Sequence, residues 1–226
     1  GEIISVVILV KILEAAGLPA KGFTGGQAGL LTDHAYGEAR ILEVRPEAVL
    51  NAIRDGKVAV VAGFQGVTAD GEVTTLGRGG SDTTAAALGV ALPAELVEIY
   101  TDVDGVMTAD PRLVAKAKPM ATLTYTEICE MAHLGAKVVH PRAVEIAMEG
   151  RLPLRIRSTF SSSPGTLVTD GRSIAGVEIR SDKVVTGLAH VSNVALVKIG
   201  AAENLNETGQ VVGIFEALAG EGIAST

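Results

Sequence analysis

Residues 75–84 read Thr75-Leu76-Gly77-Arg78-Gly79-Gly80-Ser81-Asp82-Thr83-Thr84 and run on into Ala85-Ala86-Ala87-Leu88-Gly89. Glycine at 77, 79 and 80 lets backbone N–H groups come close to a ligand. The small residues that follow predict a helix over 83–92, whose N-terminus carries a partial positive charge that favours anions. Arg78 offers a two-pronged fork for a carboxylate or phosphate. Asp82 offers a carboxylate that can position a metal ion or a cationic side chain. The simpler alternative is that Ser81 or Asp82 caps the helix after a glycine turn. An arginine and an aspartate inside the same turn favour the ligand-facing reading.

Working outward, the run Val58-Ala59-Val60-Val61-Ala62 predicts a buried strand of parallel type. Residues 67–76 alternate around Ala69-Asp70-Gly71, a hairpin signal. Residues 40–44 predict a strand, and 46–55 a helix with Pro46 at its first position and Gly56 at its end. Residues 3–16 predict a helix that is apolar nearly all round and therefore buried. A loop rich in Gly and Thr follows at 23–29.

Downstream, 96–101 and 154–158 predict strands, and 126–134 and 141–149 predict helices. This order predicts an α/β fold, a three-layer αβα sandwich with a mostly parallel sheet. Pro164-Gly165-Thr166 and Asp170-Gly171-Arg172-Ser173 read as linker sequence. The expected division is a first domain at 1–168, a linker at 169–183 and a partial α+β module at 184–226. Within that module 184–188 and 195–199 predict strands and 209–220 an amphipathic helix.

Composition narrows the function. The chain has 226 residues, 47% of them apolar but only 3% aromatic, with 27 Gly and no Trp. Small aliphatic side chains must therefore fill the core, which suits a close-packed sheet covered by helices. A net charge of −7 argues against nucleic acid as a partner. No apolar run is long enough for a membrane span. The lone Cys129 excludes an internal disulfide and fits a reducing, cytoplasmic setting. A start at Gly1 without Met, and an end at Ile223-Ala224-Ser225-Thr226 where a strand is due, predict a piece of a longer protein.

Two further stretches carry chemistry. Tyr100-Thr101-Asp102-Val103-Asp104-Gly105-Val106 leaves the C-terminal end of a strand, where open α/β sheets bind ligands, and leads to Asp110-Pro111-Arg112. Leu113 stands where a calcium-binding loop would need Glu. Arg112 either reaches phosphates or is a solvated loop arginine. In Leu134-Gly135-Ala136-Lys137-Val138-Val139-His140-Pro141-Arg142, Gly135 ends one helix and Pro141 opens the next. Lys137 sits on that connection as a point charge for a phosphate, and His140 reads as structural. His34, His133 and His190 have no metal-ligand spacing.

Taken together, Gly1-Glu2, Gly26-Gln27-Ala28-Gly29 and the segments at 76–89, 98–112, 134–145, 153–168 and 185–196 resemble the aspartokinase branch of the amino acid kinase family. The resemblance implies transfer of a phosphoryl group from ATP with Mg2+ to the β-carboxylate of L-aspartate. It makes Glu2 the partner of the substrate ammonium and Arg78 the clamp on its α-carboxylate. Ser81 becomes a substrate contact, and Asp82 the acid that organises a catalytic lysine. Thr101, Asp102, Met107, Arg112 and Lys137 become nucleotide contacts, with Met107 standing where the family often has Tyr. The family's Lys-x-Gly-Gly-Thr-Ser segment has no match in the chain, so the resemblance implies little or no turnover by these residues alone.

Residues 184–226 resemble the start of an ACT regulatory domain, which would make Asn206 and Gly209 effector contacts for lysine or threonine and would imply a homodimer. The competing readings are a related kinase, acting on acetylglutamate, glutamate or uridylate, and a non-catalytic amino-acid-sensing or assembly module.

Overall fold

The structure, a computed structural model, describes residues 1–135, 138–171, 185–190 and 208–221. It divides into two units, residues 1–191 and 192–226.

Strands β1 (Ala20–Phe23), β2 (Leu30–Thr32), β3 (Ile41–Val44), β4 (Val58–Val61), β5 (Gln65–Val67) and β6 (Val73–Thr75) come from the first part of unit one. Strands β7 (Val97–Thr101), β8 (Thr122–Thr124), β9 (Leu154–Ser158) and β10 (Thr166–Thr169) come from the second part. The helices are α1 (Glu2–Ala15), α2 (Glu47–Arg54), α3 (Gly80–Ala91), α4 (Tyr125–His133) and α5 (Pro141–Glu149), with α6 (Thr208–Gly220) in unit two. The α/β class is as expected. The strands form three sheets, not one, ordered β1-β4, β3-β2-β5-β6 and β7-β9-β10-β8. Parallel pairs join β1 to β4, β2 to β5, β7 to β9 and β8 to β10, and the remaining pairs are antiparallel.

The core lies where β7-β9-β10-β8 meets α3, α4 and α5. Leu154 and Ile156 of β9, Leu123 of β8, Val168 of β10, Ile128 of α4 and Val144 of α5 are fully buried. Alanines at 86, 143 and 147 line the helix side, and α3 packs on α5 through them. Small side chains there bring the helices close to the sheet and replace the missing aromatics. A capping box opens α4: the Glu127 amide donates to Thr124 Oγ1 at 3.2 Å, and the Thr124 amide donates to Glu127 Oε2 at 2.7 Å.

Several expectations change. The apolar helix α1 is not buried: of its side chains only Val6 is, while Ile4, Ile8 and Ile12 are 66%, 55% and 58% exposed. All-round apolarity makes burial favourable on every face, but among the described residues α1 packs mainly against β1 and β4. Strand β4 is half-exposed for a related reason, being paired only with β1. Pro46 takes the N-cap position of α2. Thr166 and Thr169, at the edges of the linker-like stretches, belong to a strand that was not expected, residues 166–169. These residues form β10, between β9 and β8, and β-branched Thr166, Val168 and Thr169, all buried, suit an interior strand. Residues 185–190 form no strand. The expected strand at 195–199 and most of the 169–183 linker lie outside the described residues. No described helix is long and apolar enough to cross a membrane.

Thr166 is the pin between this sheet and the loop after β7. Its buried hydroxyl donates to the Met120 carbonyl at 2.6 Å and accepts from the Val106 amide at 2.8 Å. Thr166→Val keeps the shape and strands both partners, so urea unfolding should show a loss of about 2–4 kcal/mol.

Candidate active site

The turn at 77–82 is built by its flanks. The β5–β6 hairpin forms around residues 69–71 as expected and delivers Leu76, whose amide donates to the Phe64 carbonyl at 3.0 Å. Gly77 and Gly79 then take φ of +72° and +68°, left-handed conformations that favour glycine. Gly79 is the N-cap of α3 and its carbonyl accepts from the Thr83 amide and hydroxyl at 3.0 and 2.9 Å. Thr84 Oγ1 donates to the Gly80 carbonyl and accepts from the Phe64 amide, tying the first turn of α3 to β5.

Neither Ser81 nor Asp82 is the cap, because both lie inside the helix. Arg78 is exposed between the two left-handed glycines and makes no ion pair among the described residues. Its fork is therefore available to an anion, and the first amides of α3 point the same kind of partial charge at one.

Asp82 is half-buried, and its carboxylate Oδ2 accepts the His140 amide at 3.3 Å. Burial pushes this carboxyl above its usual range; the His140 amide and ring pull it part of the way back. Burial and the nearby Arg142 push the His140 imidazole down, so the ring is neutral at physiological pH.

A cavity of about 800 Å³ runs along β4 and α3 to the start of α1, and both Glu2 and Ser81 line it. The Glu2 carboxylate is held below its usual range, chiefly by its own backbone N–H. Arg78, Asp82, Thr101, Asp102, Met107 and Arg112 do not line this cavity.

The loop after β7 is held at several points. Thr101 Oγ1 donates to Asp102 Oδ1 at 3.1 Å, and the Thr159 amide donates to the Thr101 carbonyl at 2.9 Å. Ser161 donates to Asp104, and Met107 bridges to Pro119. Arg112 is in solvent with its Nε and Nη2 on the Asp110 carboxylate, which these bonds hold at about 2. An exposed ion pair contributes little, so a phosphate can exchange for Asp110 at small cost.

The structure thus brings Glu2 to Ser81, and Asp82 to the chain just after Lys137, while Lys137 itself and Asn206 lie outside the described residues. Gly209 is in the first turn of α6. Sequence reasoning missed Arg142, whose Nη1 donates to the carbonyls of Leu76 and Ala39 at 3.3 and 3.4 Å. Its one sequence signal is a basic residue in the first turn of a helix, where the dipole disfavours it.

Asp82 gives a test with a definite sign. A carboxyl raised above its ordinary value of 3.8 lowers stability as pH rises through the folded-state value. Asp82→Asn removes that penalty and still accepts the His140 amide. Thermal melts should show the variant more stable than wild type at neutral pH, with the gap closing toward about pH 4.

The profile of the amino acid kinase family matches residues 1–158. Aspartokinase 1 of Bacillus subtilis is 47% identical over 224 residues, covering 99% of this chain and 55% of its own length. E. coli aspartokinase III in complex with aspartate and ADP superposes with a TM-score of 0.74 at 31% identity, over 99% of this chain and 49% of that one. The lysine and aspartate complex of the same enzyme gives 0.66 at 36% identity, over 76% and 40%. The chain spans about half the length of the curated relatives it matches. With more than half of its residues inside the family profile, the chain belongs to the amino acid kinase family.

Proposed function

We propose that the protein of which this chain forms the kinase segment transfers the terminal phosphoryl group of ATP to the β-carboxylate of L-aspartate, giving 4-phospho-L-aspartate. The observation that carries this reading is the 77–82 turn: an exposed guanidinium with no ion pair among the described residues, and a half-buried carboxyl on the first turn of α3. The aspartate and ADP of the E. coli aspartokinase III complex support the choice of substrates.

A carboxylate attacking a triphosphate brings two anions together, so positioning and cationic charge are what the protein must supply. Arg78 clamps the α-carboxylate. Glu2, on the wall of the cavity, receives the ammonium of the substrate. Ser81, on the same cavity wall, adds a hydroxyl. Asp82 fixes the amine of a lysine supplied by a Lys-x-Gly-Gly segment that residues 1–226 do not contain. Thr101, Asp102, Met107, Arg112 and Lys137 receive the nucleotide. Mg2+ would be carried largely by phosphate oxygens and water; among the described residues no cluster of three His, Cys, Asp or Glu could hold a metal ion.

The finer assignments belong to the same proposal. The enzyme acts in the cytoplasm, at the entry to lysine, threonine and methionine synthesis. Residues 184–226 open an ACT domain in which Asn206 and Gly209 meet a lysine or threonine effector, and the protein is a homodimer. The domain division at 1–168, 169–183 and 184–226 goes with it.

An aspartyl-hydroxamate assay tests the proposal. A longer protein that includes the Lys-x-Gly-Gly segment should turn over aspartate with ATP, and the 226-residue chain should show almost none. Arg78→Ala in the longer protein should lower kcat/KM for aspartate about a hundredfold, mostly through KM, because a carboxylate clamp binds ground and transition states alike. Phosphorylation of acetylglutamate or UMP in place of aspartate would reject the substrate assignment, and full turnover by the 226-residue chain would reject the need for the missing lysine.

A further inference from the structure

Three contacts converge on the glycine turn from the start of α5. The His140 side chain packs against Gly79: a Cβ added at Gly79 would sit 2.2 Å from both Cβ and Cγ of His140 and 2.5 Å from its ring Cδ2. The His140 amide donates to Asp82 at 3.3 Å. The Arg142 guanidinium donates to the carbonyl of Leu76, the residue that enters the turn, at 3.3 Å. Residues 76, 79 and 82 are therefore each held from the same short stretch, at the entry, the middle and the exit of the turn.

His140 is an odd choice for its own place in the helix. It is the N-cap of α5, a position that favours Ser, Thr, Asp or Asn, and it makes no side-chain capping bond. Its Nδ1 is buried with no hydrogen-bond partner. Both features are unfavourable for α5. Neither is explained by the helix that His140 begins; both are explained if the ring is there to fill the space beside Gly79. Arg142 is as ill-suited to α5, since a cation in the first helical turn opposes the dipole. Its two carbonyl partners lie across the turn, at Leu76 and Ala39.

We propose that His140 and Arg142 are positioning residues: from the start of α5 they lock residues 77–82 into the backbone shape that presents Arg78 and Asp82 to the amino-acid substrate. The proposal rests on the reading of that turn as the substrate clamp. The lock is mutual. Gly79 can carry no side chain because the Cβ and ring of His140 occupy its place, and the ring keeps Gly79 in its left-handed conformation. Arg78, which lies between two left-handed glycines, then has its direction set by the backbone on either side of it.

The test uses the 226-residue chain. Hydrogen exchange is measured at the Gly80 and Thr83 amides, which bond to the carbonyls of Gly77 and Gly79, and at the β9–β10 ladder as an internal control. L-Aspartate binding is measured in parallel by calorimetry. His140→Ala should speed exchange at the two turn amides by about tenfold, leave the β9–β10 ladder unchanged and weaken aspartate binding. His140→Phe, which keeps a ring and drops the unpartnered nitrogen, should restore slow exchange and binding. Arg142→Ala should act in the same direction as His140→Ala. Unchanged turn amides in His140→Ala, or no rescue by His140→Phe, would overturn the proposal. A global loss of protection in His140→Ala, including the ladder, would also count against it, since the effect would then be on the fold and not on the turn. If wild type bound no aspartate while the exchange differences appeared, the lock would stand and the reading of the turn as a substrate clamp would fall.

Discussion

No side-chain carbon fits at Gly79. That exclusion links the two halves of the kinase segment, because the ring that causes it belongs to the start of α5 while the glycine begins α3. The hairpin β5–β6 leads the chain into the turn and α3 takes it away. Between those supports the backbone passes through two left-handed residues that only glycine adopts readily. The exposed guanidinium of Arg78 is aimed by this arrangement and not by any bond of its own.

The electrostatics of the turn follow from the same packing. Bringing α5 against α3 takes Asp82 partly out of water, which makes its charged form less favourable in the folded chain. The neighbouring His140 ring stays neutral for a like reason. A carboxyl held in a destabilising environment is a common signature of a working group, and here the local stability loss has a definite structural origin. The loop after β7 is treated differently. Its backbone is pinned by the fully bonded Thr166 hydroxyl, while its one arginine, exposed to solvent, rests on an aspartate that a competing anion can replace.

Much of the fold was legible because it is encoded locally. The hairpin at residues 69–71, the helix α5 between Pro141 and Gly150, and the strand β9 each carry their own start and stop signals and appear where those signals place them. Strands β1, β2 and β8 were missed because they are only three or four residues long, too short for a period to be read. Strand β10 was missed because Pro164-Gly165 and Asp170-Gly171 are turn chemistry on both sides of it, and a four-residue strand between two turns shows no period of its own. The apolar helix α1 was expected to be buried because apolarity reports what a helix would gain from cover, not whether cover is present.

The sequence by itself determined the α/β class, the glycine turn with its arginine and aspartate, and the resemblance that ties three separate loops to one family, because each depends on residue identity over a short span. Only the tertiary structure decided that Glu2 and Ser81 share a cavity, that Arg112 sits on Asp110, and that His140 and Arg142 close on the turn from 58 or more positions away along the chain. Those relations depend on which helix packs against which. Packing is settled by the summed fit of many side chains, and no single stretch of sequence records it.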